Sequence, residues 1–270
     1  MSLHSLLDNF APFYQKFFEK LKNRSRIDTI SGMEKYDKTN DTSYALGTTL
    51  TFELLKRKKD VLKRIYISPK QKRDETYRSL IALAKENKTP IIENNEKIFR
   101  SLSEKDNCMV IGEFEKWSDT LQKESNHIVL VNPSNKGNLG TILRSAAAFS
   151  IHDIAIISPA ADIYDPKTVR GSMGALFSIR FHYYHSFEEY QSTYQNRHYY
   201  PFMLQTDHFL GSQTIDEPYS LIFGNEATGL DSSFLEVGTP LKIPQSSLVD
   251  SLNLDNAVSI ALYDFSIRHK

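Results

Sequence analysis

Apolar and polar positions alternate along this chain in two rhythms, and the switches between them outline its elements. Residues 5–22, SLLDNFAPFYQKFFEKLK, carry apolar positions at helical spacing around Pro12. TTLTFELLKRKKD reads as an amphipathic helix with Leu50, Leu54 and Leu55 facing inward. LKRIYISP then reads as a strand, RDETYRSLIALAKEN as a helix, TPIIENN as a short strand, EKIFRSLS as a short helix and NCMVIGEFE as another strand. The polar stretch 116–126, KWSDTLQKESN, has neither rhythm and reads as a linker.

The alternation then resumes with HIVLVN, LGTILRSAAAF, DIAIISP, DPKTVRGSMGALF, YPFMLQT, YSLIFGN, PLKIP and NAVSIALYDFSIRH. Apolar strands alternating with helices predict a mainly parallel sheet covered on both faces. The pattern divides the chain into a helical extension over 1–40, a small α/β domain over 41–115, a linker over 116–126 and a second α/β domain over 127–270.

Composition narrows the class. Of 270 residues, 40% are hydrophobic and 24% charged, close to globular averages, so each half has material for a core. Cys108 is the one cysteine, which excludes a disulfide framework and a cysteine-based zinc site and suits a reducing cytoplasm. No apolar run approaches the roughly 20 residues that span a bilayer. The opening MSLHSLLDNFAPF has no basic leader or small-residue cleavage site and does not read as a secretion signal.

The net charge of +0 conceals an asymmetry. Lys56, Arg57, Lys58, Lys59, Lys63, Arg64, Lys70, Lys72, Arg73 and Arg78 crowd one stretch, opposed there only by Asp60, Asp74 and Glu75. From residue 126 onward acids outnumber bases. A basic first half is suited to docking a polyanion, and Lys56, Lys58, Lys63 and Arg64 are its candidate contacts; a solvated lysine-rich helix face would give the same composition.

In an open α/β sheet the ligand site lies beyond the carboxyl ends of the strands. Three post-strand loops are unusual here: NPSNKGNLGTILR, GNEATGL and PQSSLVDSLN. Each mixes turn-forming residues with carboxamide, hydroxyl or carboxylate groups, which lets backbone approach a ligand. GNLGTILR has neither the spacing nor the lysine of a P-loop, and no G-x-G-x-x-G dinucleotide fingerprint occurs. His185, His198 and His208 lack metal-ligand spacing.

NLGTILR, LIFGNEATGL and IPQSSLVDSLN resemble, in order and spacing, the three motifs of the SpoU (TrmH-like) RNA ribose 2′-O-methyltransferases, over roughly residues 126–270. DPKTVRGSMGALF is similar to a segment of the SpoU enzymes that modify ribosomal RNA. The first half resembles their ribosomal-protein-like RNA-binding domain. The resemblance implies a deep trefoil knot in the second domain, S-adenosylmethionine held bent within it, a homodimer whose active site uses both subunits, and no metal. It favours 23S rRNA over tRNA as substrate and places the functional positions on Asn138, Arg144, Glu226, Ser251 and Asn253. Gly224, Ile243 and Leu252 match positions that hold the adenosine, and Thr206 is grouped with them.

These residue types suit that chemistry. The attacking ribose hydroxyl is barely acidic, and the family assigns its deprotonation to the arginine that corresponds to Arg144. Guanidinium groups in general keep their proton up to a pKa above ~12. Anchoring a phosphate bidentately and stabilising a developing alkoxide is therefore an alternative role. On a helix, Gly140, Ala147 and Ala148 flank Arg144 and leave room for a nucleic-acid backbone, while Ile142, Ala146 and Phe149 form the core stripe. Asn138 could equally cap that helix, and Ser251 and Asn253 the last one. Arg170 could bind phosphate or pair with an acid.

Three positions depart from the family pattern: Asn132 before the proline, Ser247 in place of a glycine, and Asp255-Asn256 after Ser-Leu-Asn. A catalytically silent RNA-binding protein would share the fold, but Arg144 is present. Methylation of a base nitrogen is disfavoured because the motifs match the ribose-modifying branch.

Overall fold

A computed structural model describes residues 36–102 and 107–268. The expected helix over 5–22, and nearly all of the extension over 1–40, lie outside them. The first half builds a four-stranded sheet from β1 (Thr42–Leu46), β2 (Leu62–Ile67), β3 (Ile91–Glu93) and β4 (Val110–Glu115), in the order β1-β4-β2-β3. β4 runs antiparallel to both β1 and β2, and β2 pairs in parallel with β3.

Helices α1 (Thr48–Arg57), α2 (Glu75–Glu86) and α3 (Glu96–Leu102) cover this sheet. Leu50, Leu54 and Leu55 of α1 are buried, as the periodicity predicts. Asp74 starts α2 by accepting the Tyr77 N–H at 2.9 Å. Leu80 and Ala84 then pack with Leu55, Ile65, Ile67 and Val110.

The second half is the parallel sheet that the pattern implies. β5 (His127–Val131), β6 (Asp153–Ile157), β7 (Arg180–Tyr184), β8 (His198–Pro201) and β9 (Tyr219–Phe223) lie in the order β7-β6-β5-β9-β8, every neighbouring pair parallel. Around it are α4 (Lys136–Ala148), α5 (Pro166–Gly171), α6 (Phe187–Thr193) and α7 (Leu254–Arg268). β6 and β9 are buried along their whole length, because both sheet faces are covered. Ile128 and Leu130 face one core with α4 and α7, while Val129 faces another with Tyr190 of α6.

The pattern misses β1, β7 and α6, each only five to seven residues long and rich in polar or aromatic side chains. PLKIP forms only isolated bridges, Phe202 with Leu241 and Phe209 with Lys242.

The stretch read as a linker is packed. Trp117 lies among Phe114, Tyr164, Phe177 and Phe181, with ring centroids 5.1–6.4 Å apart. Its backbone N–H donates to the Tyr164 hydroxyl at 2.7 Å, and Leu121 is buried. Such aromatic pairs contribute about 0.5–1.5 kcal/mol each beyond their burial, and these rings are continuous with the core that holds Ile128, Leu130 and Ile142.

Among the described residues no helix is long and apolar enough to cross a membrane, and no group of three or more His, Cys, Asp or Glu could hold a metal ion.

Candidate active site

The loop after β5 is fixed before α4 begins. Asn132 takes a left-handed conformation at φ 53, which asparagine tolerates, and its N–H bonds the Ile157 carbonyl at 3.0 Å. Asn135, rather than Asn138, caps α4: its side chain accepts from the N–H groups of Gly137 and Asn138 at 2.8 and 3.2 Å. That leaves the Asn138 carboxamide free for another task. It donates to Glu226 Oε1 at 3.2 Å.

Glu226 is the hub of the site. Its Oε2 accepts from the Ser134 N–H and hydroxyl at 3.0 and 2.8 Å, and its Oε1 from the Asn135 N–H at 3.0 Å. Burial alone would raise its pKa, but the hydrogen bonds from Ser134 and Asn135 outweigh that and hold it below the usual glutamate value. Asn225 ties the same loops by donating to the Asn132 carbonyl at 2.7 Å. Gly224 is obligatory here: a Cβ on it would lie 2.1 Å from the Gly229 carbonyl carbon.

Beside this knot of hydrogen bonds is a cleft of about 310 Å³. Of the expected residues, Gly224, Glu226, Ile243, Ser251 and Leu252 line it. Phe202, Leu204, Gln205, Leu254 and Ala257 also line it, and sequence reasoning missed them. The Phe202 and Phe223 rings stack at 4.5 Å in its apolar wall, and Asp250 supplies a second carboxylate. The pattern places residues 202–205 within the strand-like run YPFMLQT, whereas the strand ends at Pro201 and these residues follow it.

Thr206 does not line the cleft. It is buried, and its hydroxyl accepts the His208 N–H at 3.2 Å within its own turn. Asn253 and Arg144 also stay outside it. The Asn253 carbonyl accepts the Ala257 N–H at 2.9 Å at the start of α7, while the Ser251 and Asn253 side chains form no hydrogen bond among the described residues.

Arg144 is exposed on α4, with no hydrogen bond or ion pair among the described residues. Ile142 and Ala146 are buried as expected, and Phe149 is partly buried. Gly140 serves a different purpose from the one expected. It is buried against α5, where a Cβ would meet the Thr168 carbonyl at 2.7 Å, so its bareness admits a helix rather than a nucleic acid.

Most of the basic candidates in the first half are engaged. Lys58 lies 3.7 Å from Asp119 and over the Trp117 ring, Lys63 is 3.9 Å from Glu115, and Arg64 is 3.4 Å from Glu113. Lys56 is exposed and has no such partner among the described residues. Arg170 is likewise exposed, with no acid partner among the described residues.

The parallel sheet, its carboxyl-edge loops and the small mixed sheet define a two-part α/β protein with its cleft built from post-strand loops. A model described as the SpoU rRNA Methylase family matches residues 125–263, and one described as RNA 2′-O ribose methyltransferase substrate binding matches residues 44–116. The chain belongs to the SpoU rRNA methylase family.

One similar protein is a 23S rRNA (uridine(2479)-2′-O)-methyltransferase from Streptomyces viridochromogenes, 33% identical over 145 residues, or 51% of this chain and 50% of that protein. A 23S rRNA (guanosine(2553)-2′-O)-methyltransferase from Bacillus subtilis is 30% identical over 131 residues, 47% of this chain and 52% of that protein. The chain spans about half the length of these curated relatives. Among solved structures, an AdoMet-bound rRNA methyltransferase from Sinorhizobium meliloti is similar at TM-score 0.70 and 27% identity, covering 85% of this chain and 88% of that one.

Proposed function

We propose that this protein transfers a methyl group from S-adenosylmethionine to a ribose 2′-hydroxyl of structured RNA, with 23S rRNA as the favoured substrate. The observation that carries this reading is the convergence of the three motif loops on Glu226 and the adjoining cleft. The relatives named above are 23S rRNA 2′-O-methyltransferases, and the similar Sinorhizobium structure holds AdoMet.

The cleft fits that cofactor. Phe202, Ile243 and Leu252 offer apolar surface to an adenine, Gly224 lets backbone approach, and the carboxylates of Glu226 and Asp250 suit a cationic sulfonium. When bound, the cofactor supplies an activated methyl group. Glu226 and Asn138 hold the first two loops in register, and Ser251 and Asn253 shape the third. Arg144 anchors a substrate phosphate and stabilises the negative charge that develops on the attacking oxygen as its proton passes to solvent water.

In this reading the second domain carries the trefoil knot of its family and pairs with a second copy through α4 and α7. Support comes from an apolar face on α7, where Ile260, Tyr263 and Ile267 are 41%, 57% and 46% exposed at helical spacing. Ser145 and Ser259 hydroxyls meet at 2.8 Å, so the exposed face of α4 that carries Arg144 adjoins it. Pairing would bring Arg144 of one copy to the cleft of the other, which explains its distance from its own.

The first domain, over 41–115, presents RNA through Lys56 with help from Arg170. A ribosomal substrate is favoured because the similarity to a structure solved for 2-OH methylation of C/U34 on tRNA covers only 55% of this chain, whereas the first half matches a substrate-binding model. The lone, half-buried Cys108 suits a cytoplasmic setting. The test is incubation of the full chain with labelled S-adenosylmethionine and total RNA, followed by mapping of the modified nucleotide. Label in one 2′-O-methylated rRNA nucleotide is expected. Label on a base, or none with any RNA, would sink the reading.

A further inference from the structure

Met173 stands out among the left-handed residues. The other non-glycine residues with positive φ among the described ones are Lys88, Asn94, Asn132, Ser150 and Asn196, all polar and three of them asparagine. Met173 is large and apolar, holds φ 50, and is 49% exposed. Bulky side chains rarely adopt this conformation, and such residues persist only where the surroundings over-determine them.

The surroundings do so here. One residue before the turn, Gly171 lies against Gly140 of α4, one helical turn ahead of Arg144. One residue after it, Gly174 takes φ 94, and a Cβ there would be 2.8 Å from Glu53 Cβ on α1. Ser172 between them is fully buried, its hydroxyl donating to the Val169 carbonyl at 2.7 Å. The Met173 N–H closes the turn on the Arg170 carbonyl at 3.1 Å. The segment therefore bridges the helix of Arg144 and the helix of Lys56, with the exposed Met173 and Arg170 as its outward side chains.

We propose that Met173 is an RNA-positioning residue: its thioether packs against the face of an unstacked base next to the nucleotide presented to Arg144, while Arg170 holds the adjoining phosphate. This rests on the function proposed above. Single-stranded RNA is recognised through splayed bases held on flat or polarizable side chains, and guanidinium groups grip phosphate. A thioether in a strained but clamped turn offers such a surface at a fixed height over the track between the two domains.

The experiment measures steady-state methyl transfer to protein-free 23S rRNA, direct binding of that RNA, and thermal stability, using the full chain. Met173→Gly removes the side chain and relieves the left-handed backbone. It should keep or raise the melting temperature, raise KM for RNA about five- to tenfold, leave kcat within about twofold, and leave cofactor affinity unchanged. Met173→Leu should retain most of the RNA affinity, and Arg170→Ala should lower the salt slope of RNA binding by about one.

An unchanged KM and RNA affinity in Met173→Gly would overturn the proposal, as would an altered oligomeric state with RNA affinity intact, which would make Met173 a self-association contact. If the unmodified chain transfers no methyl to any RNA, the functional reading fails, while the binding measurement still decides the Met173 contact.

Discussion

The two ends of the parallel sheet both carry charged groups and are differently finished. At the amino edge, His127, Asp153, Arg180, Arg197, Tyr190 and Ser220 form an internal network in which the buried Nε of Arg197 alone has no partner among the described residues. Arg180 grips Asp153 at 2.5 and 2.8 Å. Burial pushes the Asp153 carboxyl upward, but Arg180 outweighs it and holds it below the ordinary range. His127 Nε2 lies 2.8 Å from the Gln122 carbonyl, which can only accept, so Nε2 carries the proton. Its Nδ1 then accepts from the Tyr190 hydroxyl at 2.8 Å, and Tyr190 meets Ser220 at 2.7 Å.

At the carboxyl edge, Arg144 and Arg170 stand exposed and without partners among the described residues, and Glu226 satisfies its loops while still lining the cleft. The lesson is that polarity does not mark function. What separates the two edges is exposure: Arg144 and Arg170 point outward, whereas the amino-edge groups are turned on one another.

The sharpest break in that comparison is Arg144→Ala. It should lower kcat by about 10² to 10³ while leaving stability and cofactor affinity near their starting values, because that side chain has no hydrogen bond or ion pair among the described residues. Calorimetry with S-adenosylmethionine and single-turnover methylation would check both halves. Wild-type turnover would dissolve the distinction between the edges.

His127 makes the complementary case. Burial, aided by Arg197, lowers its pKa from 6.5 to about 4. The unfolded chain then binds a proton that the folded chain refuses. Stability is complete above about pH 6.5 and falls as pH drops from there toward 4, by on the order of 3 kcal/mol. His127→Gln should flatten that slope in urea titrations across this window, and methyl transfer per folded molecule should not change.

Glu226→Gln lies between the two. The lowered carboxylate stabilises the loops above the ordinary glutamate range and loses that effect as pH falls through its folded value. The substitution should cost about 1–2 kcal/mol after allowance for its solvent-facing side. It should also weaken cofactor binding, read by calorimetry and thermal melts on the same sample.

The smallest effect is expected in the first domain. Lys56→Glu should weaken RNA binding a few-fold and reduce its salt slope by about one. Lys63→Glu should do less, because Glu115 already offsets that charge. Salt-dependent binding of protein-free rRNA would show equal effects if internal pairing were irrelevant.

Local sequence determined the alternation of strands and helices, the inward leucines of α1, the buried Ile142 and Ala146, and the turn-rich character of the three motif loops. These follow from spacing of two or about 3.6 residues and from turn chemistry, which depend on near neighbours in the chain. Its motifs also carried the family.

Tertiary structure alone decided which charges are free. Lys58 meets Asp119 and Arg64 meets Glu113 across segments that no periodicity relates. It decided that Asn135 rather than Asn138 caps α4, that Thr206 turns away from the cleft, and that Gly140 admits α5. It also set Met173 in a left-handed turn between two clamped glycines. A side chain's partner is fixed by packing between distant segments, and that distance in the chain hides it from any local pattern.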